Sequence, residues 1–162
     1  MDYLLAVKAL LLLMAANGAP ILARKLLHRR FEQPIDNHRR LADGQPLFGS
    51  SKTWRGVFAA LLATPVAALI LSLSPWIGLL AAVFAMAGDL LSSFIKRRMH
   101  FAPSDMALGL DQVPESLLPL LVIGPLLGIG WSTVLLLTLV FLVLELALSQ
   151  VLYRLNIRKR PY

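Results

Sequence analysis

Residues 88–98 read GDLLSSFIKRR, and their types are those of metal and phosphate chemistry. On a helix, Asp89, Ser92 or Ser93, and Lys96 fall at i, i+3/i+4 and i+7, so a carboxylate, hydroxyls and an ammonium share one face. The run before them is apolar, and an ionisable group at the edge of such a run is costly unless it has a partner. The partners these types suit are a divalent cation for Asp89 and phosphate oxygens for Lys96 and Arg97.

A second carboxylate, Asp111, stands in the polar stretch that follows. Two carboxylates together with substrate phosphates are how Mg²⁺ is usually held. Plainer alternatives stay open: an ion pair of Asp89 with Lys52 or Arg55, and a helix N-cap for Asp111. Upstream, residues 49–56 read GSSKTWRG, which lacks the GxxxxGK[ST] spacing of a Walker loop. What remains is a Gly/Ser turn that leads Lys52, Thr53 and Arg55 into a helix, where free N–H groups and the helix dipole favour an anion. A basic anchor at the membrane surface is the competing reading for this turn and for Lys96–Arg98. His28, His38 and His100 have no metal-ligand spacing and read as interfacial polar residues. Glu145, alone in a long apolar run, is either hydrogen-bonded inside a bundle or reaches toward the site. No Ser-His-Asp or Cys-His constellation is present, so the inventory is acids for metal and bases for phosphate.

The elements that carry these residues are membrane elements. The chain of 162 residues is 57% hydrophobic and 15% charged, with a mean hydropathy of +0.70, too apolar for a domain whose whole surface is wetted. There is no cysteine, hence no disulfide and no thiolate metal site. The net charge of +7 sits in short loops between apolar runs, which points to lipid and phosphate rather than nucleic acid.

Apolar periodicity and breakers predict an all-α integral membrane protein of five transmembrane helices in a single domain spanning residues 1–162. The first covers residues 3–23 and is retained rather than cleaved, since no basic n-region precedes it. The second covers 57–73, ending at Ser74-Pro75, and the third 76–95. Residues 117–151 are too many for one crossing and must fold back, with a corner between Gly124-Pro125 and Trp131. Two long polar loops, 28–53 and 96–112, then lie on one side with the C-terminal tail. Together with Arg24, Lys25 and Arg55, which flank the first loop between the predicted helices, they hold every one of the 16 Lys and Arg residues except Lys8, and by the positive-inside rule that side is the cytoplasm, with the N-terminus outside. Pro114 is tolerated in a first turn and opens the fourth helix there, setting Asp111 and Glu115 beside its N-terminus.

Three segments in order, PIDNHRRLADGQPLFGSSKTWRG, GDLLSSFIKRR and LDQ, resemble the CDP-archaeol synthases and, more distantly, the phosphatidate cytidylyltransferases. The resemblance spans roughly residues 17–115. It implies a Mg²⁺-dependent multi-pass enzyme of the cell membrane that transfers CMP from CTP to a lipid phosphate and releases pyrophosphate, with its site on the cytoplasmic face. It implies Lys52, Asp89, Lys96 and Asp111 as catalytic residues, and Lys52, Thr53, Arg55, Ser93, Lys96 and Arg97 as nucleotide and phosphate ligands. Asp89 and Asp111 are the implied metal ligands, with Glu115 read as a third in place of a missing family acid or else as support for the start of the fourth helix, and Asp36 and Asp43 are further acids matching the family pattern. In that pattern another aspartate follows three residues after the one matching Asp111. Here Pro114 occupies the position and Glu115 comes next, its extra methylene able to reach back. The implied partners are CTP, a lipid phosphate and membrane lipids, without nucleic acid, and a homo-oligomer is compatible. Two other classes stand beside this reading: a non-catalytic membrane scaffold or transporter, and a CDP-alcohol phosphotransferase, whose DxxDG…D signature is absent.

Overall fold

The computed structural model describes residues 3–155; Arg158, Lys159 and Arg160 of the basic tail lie outside them. Five helices follow one another: α1 Tyr3–Leu27, α2 Trp54–Ile70, α3 Pro75–Arg98, α4 Gln112–Leu126 and α5 Trp131–Arg154. Among the described residues the only β features are two isolated bridges, Pro34 with Thr53 and Arg40 with Pro46. By length and composition α1, α3 and α5 can each cross a membrane. At 1.5 Å per residue α2 and α4 reach only about 26 Å and about 23 Å, short of a hydrocarbon core of about 30 Å.

The ends of the helices follow local chemistry. The first and third helices run beyond the predicted 3–23 and 76–95, because basic residues complement the negative end of a helix and do not stop it. Arg24 and Lys25 occupy the last turn of α1, and Lys96, Arg97 and Arg98 that of α3. The second helix starts at Trp54 rather than 57, since Thr53 is its N-cap and accepts a bond from the Gly56 N–H. It stops at Ile70 rather than 73, where Ser72 turns left-handed at φ 56°, and Pro75 opens α3. The α4–α5 corner falls in the predicted stretch, with Gly128 supplying φ 67° and the Ile129 N–H closing on the Gly124 carbonyl.

One apolar cluster draws on all five helices, among them Leu12 and Leu13 of α1, Ala68 of α2, Ala81 of α3, Leu120 of α4 and Phe141 of α5. Small residues let backbones approach. At Gly78 a Cβ would stand 2.6 Å from the Thr64 carbonyl oxygen of α2, and at Gly88 it would stand 2.2 Å from that of Pro114 on α4. The second approach brings Asp89, the next residue, against Glu115.

Candidate active site

The loop over residues 28–53 is ordered by one carboxylate. Asp36, 4% exposed, accepts the N–H groups of Gly49 at 2.8 Å, Phe48 at 3.0 Å and His38 at 3.1 Å. Burial alone would raise its pKa, but these donors, from Gly49, Phe48 and His38, outweigh that and hold it below the usual aspartate value. The loop's end is tied back by the Ile35 N–H to the Lys52 carbonyl and the Trp54 N–H to the Gln33 carbonyl. Lys52 is thereby delivered to α3, where its ammonium pairs with Asp89.

On the same face of α3, two turns on, Lys96 pairs with Asp111 at 2.6 Å and donates to the Asp105 carbonyl at 2.8 Å. The Glu115 carboxyl is within hydrogen-bonding reach of Asp89, and Lys52 also feels the charges of Glu115 and Asp111. Arg97, 2% exposed, donates through Nη2 to the Ala102 carbonyl at 3.0 Å, while its Nε and Nη1 have no protein partner. Lys52, Asp89, Ser93, Lys96, Arg97, Asp111 and Glu115 all line one cavity of about 1280 Å³.

Other expected site residues are employed differently. Arg55 lines the cavity but donates Nη1 to the carbonyls of His28 at 2.7 Å and Arg30 at 2.8 Å, clasping the end of α1 to the start of α2. The Thr53 hydroxyl is engaged as the α2 cap. Asp36 and Asp43, expected as site acids, lie outside the cavity lining: backbone N–H groups satisfy the first, and the second pairs with Arg98 at 2.9 Å on the outer side of the loop. Asp111 is not a side-chain cap for α4 and instead accepts the Ala107 N–H at 2.9 Å. Glu145 and Ser149 of α5 line the cavity, so the lone acid of the last apolar run faces the site. Asp105 also lines the cavity, and its carboxylate accepts the Ala102 N–H at 3.1 Å. Nothing in the sequence marks it beyond the Pro103-Ser104 turn that precedes it.

Among the described residues no three His, Cys, Asp or Glu side chains form a ready metal cage. Asp89, Asp111 and Glu115, which line the one cavity, suit instead a hard cation that completes its shell with phosphate oxygens and water.

In a helical membrane protein, half-buried lysines and aspartates that pair across a shared cavity mark a functional site, and define a membrane protein that works on a charged substrate. The sequence profile of the CarS-like CDP-archaeol synthase family matches residues 73–162. CDP-archaeol synthases from Hyperthermus butylicus (35% identical, covering 74% of this chain and 73% of the relative) and Pyrobaculum arsenaticum (32%, 91% of each) are similar to it. One from Saccharolobus islandicus is 32% identical over 99% of this chain and 97% of its own. A solved structure described as an intramembrane enzyme for archaeal membrane lipid biosynthesis superposes with a TM-score of 0.70 at 29% identity, covering 89% of this chain and 92% of that one. The chain belongs to the CDP-archaeol synthase family and is a CTP-dependent lipid-phosphate cytidylyltransferase. Membership sets aside the scaffold, transporter and phosphotransferase readings.

Proposed function

We propose that the cavity is where CTP and the lipid phosphate meet, with Mg²⁺ held by Asp89, Asp111 and Glu115. A lipid phosphate oxygen attacks the α-phosphorus of CTP, the bond from that phosphorus to the bridging oxygen breaks, and pyrophosphate leaves with the bonding electrons. No protein nucleophile is required, so the chain contributes position and charge. Lys52 and Lys96 exchange their aspartate partners for phosphate oxygens, and the freed carboxylates face the cation. When bound, the cation supplies charge neutralisation on the transferred group and on the leaving pyrophosphate.

The observation that carries this reading is Arg97. A guanidinium buried to 2% exposure with two nitrogens unmatched by protein is costly, and an anion in the cavity it lines would satisfy them. The relatives' name makes an archaeol-type lipid phosphate the first acceptor to try. Purified protein in detergent with Mg²⁺, labelled CTP and a panel of lipid phosphates is expected to yield a CDP-lipid and pyrophosphate. Label that stays in CTP across the panel would defeat the reading.

All five helices cross the membrane in this proposal, α2 and α4 with the help of their flanking turns, and the cavity opens to the cytoplasm. The support is the distribution of Lys and Arg. A Ser104→Cys variant is expected to resist an impermeant thiol reagent in intact cells, and its labelling there would overturn this orientation.

A further inference from the structure

The loop over residues 28–53 divides into a fixed root and a projecting flap. The root contains Pro34, Asp36 and Gly49, all buried, whereas no residue from 37 to 48 is. Residues 39–48 close on themselves. The Leu47 N–H donates to the Arg39 carbonyl at 3.1 Å, the Leu41 N–H to that of Gln45 at 3.0 Å, and Arg40 bridges to Pro46. The neck of this flap is left-handed on both sides, at Asn37 (φ 45°) and His38 (φ 62°) before it and at Gly49 (φ 96°) after it. Asp36 ties the two sides together by accepting from the N–H groups of His38, Phe48 and Gly49. A body bonded within itself and joined to the rest through a narrow neck can swing without unfolding.

The far end of the flap is held by the end of α3. Arg98 pairs through Nη1 with Asp43 at 2.9 Å and donates Nη2 to the Pro46 carbonyl at 2.6 Å, with its guanidinium 5.2 Å from the centre of the Phe94 ring. The side chains of Gln45 and His100 meet at 3.0 Å. Because the Asp43 and Arg98 side chains are 39% and 24% exposed, water screens the ion pair and it opens easily.

What these bonds hold in place lies at the neck. A Cβ on Gly49 would come within 3.5 Å of the Pro103 ring and 3.6 Å of Arg97 Nη1, so the first polar loop meets the second directly over that guanidinium. The same Arg97 is almost fully covered, and its Nε and Nη1 have no protein partner. A phosphate reaches those nitrogens only if part of their cover moves, and the flap is the part whose outer ties are exposed. We propose that residues 39–48 swing away to let the nucleotide reach Arg97 and to release pyrophosphate, and that Arg98 and His100 latch them shut for the transfer. Arg98 is then a positioning residue, which touches no substrate and acts on Arg97 through the flap and Gly49. This rests on the cavity being the place of cytidylyl transfer.

The test uses the full chain in detergent. Arg98→Gln is expected to raise the KM for CTP about fivefold, the factor for an exposed ion pair of about 1 kcal/mol, while that for lipid phosphate moves less than about twofold. Asp43→Asn is expected to act in the same direction, and carries the comparison should the arginine variant fail to fold. Equal changes in both KM values would overturn the latch. The chain has no cysteine, so Gln45→Cys with His100→Cys makes a unique pair for a short bis-maleimide. Linked after CTP and Mg²⁺ have bound, the protein is expected to transfer CMP once and then stop, and linked empty it is expected to transfer none. Steady turnover by the linked protein, at the rate of a control capped with a one-ended maleimide, would overturn the flap. The yield of linking reads closure without any turnover and is expected to fall when Arg98→Gln is added; an unchanged yield would overturn the latch as well. No transfer by the wild type to any lipid phosphate, with linking still dependent on Arg98, would defeat the transfer reading and not the latch.

Discussion

The two flanks of α3's cavity are built on opposite principles. On one flank α3 meets α2 and α4 through Gly78 and Gly88, so closely that neither position has room for a methyl group. On the other flank α1 buries no residue beyond Ala16 and α5 only Ser149 beyond Phe141, and a methyl group at Gly18 would touch nothing. Groups that must hold charge in fixed places, Asp89, Lys96 and Glu115, sit on the tight flank. The open one carries Gly18 and the exposed cations Arg24 and Lys25. The contrast teaches that one small bundle can hold charged groups between closely packed helices while leaving another side loosely packed, because packing density is set helix pair by helix pair.

The severest way to break the tight flank is to remove its charge. Asp89→Asn and Asp111→Asn are each expected to cut CMP transfer by about 100-fold or more, with the protein still inserted, since a neutral amide cannot balance a cation. Transfer assays at saturating CTP decide this, and near-normal turnover would take the residue out of the metal site.

The glycines test the contrast directly. Gly88→Ala would place its Cβ 2.2 Å from the Pro114 carbonyl oxygen and must push α4 away, at a cost of about 1–3 kcal/mol. Gly18→Ala, where no atom lies within reach, is expected to leave stability unchanged or slightly raised, because alanine is the better helix former. Thermal unfolding in detergent reads both, and equal losses would erase the distinction between the flanks.

Smaller still is the expected effect at Glu115. Glu115→Gln should raise the Mg²⁺ concentration for half-maximal transfer several-fold with little loss of folded protein, if the side chain touches the cation or its waters. A variant that loses some stability but keeps its Mg²⁺ requirement would show that Glu115 only favours the start of α4.

The smallest effect lies in the loop that presents Lys52. The folded pKa of Asp36 is below its unfolded value, so its contribution is present above the ordinary aspartate range, near 3.9, and is lost as pH falls through the lower folded value. Asp36→Asn should therefore lower stability at neutral pH by about 1–2 kcal/mol and flatten the acid limb of the stability curve. Stability measured against pH checks both signs.

Much of this molecule is legible in its sequence, for reasons that are local. Apolar runs of membrane length, the Ser74-Pro75 stop and the Gly124–Trp131 corner locate five helices, and helical spacing alone puts Asp89, Ser93 and Lys96 on one face. The segments containing Lys52, Asp89 and Asp111 also carry the family resemblance. The ends of α1 and α3 are harder to read, since a basic cluster looks like the edge of a membrane segment although it suits a helix terminus.

What only the tertiary structure decides is who meets whom. Lys52 reaches Asp89 across 37 residues, and no periodicity could say that Arg55, three residues from Lys52, would turn to the carbonyls of His28 and Arg30. Asp36 and Asp43 look in sequence like any other acids of the family pattern, yet the folded loop points them at backbone N–H groups and at Arg98. The open space beside Gly18 is equally invisible in a continuous apolar run. Helix formation answers to residues three and four apart, whereas pairing, closeness and openness depend on which side chains separate distant backbones, and that is fixed only when the helices pack.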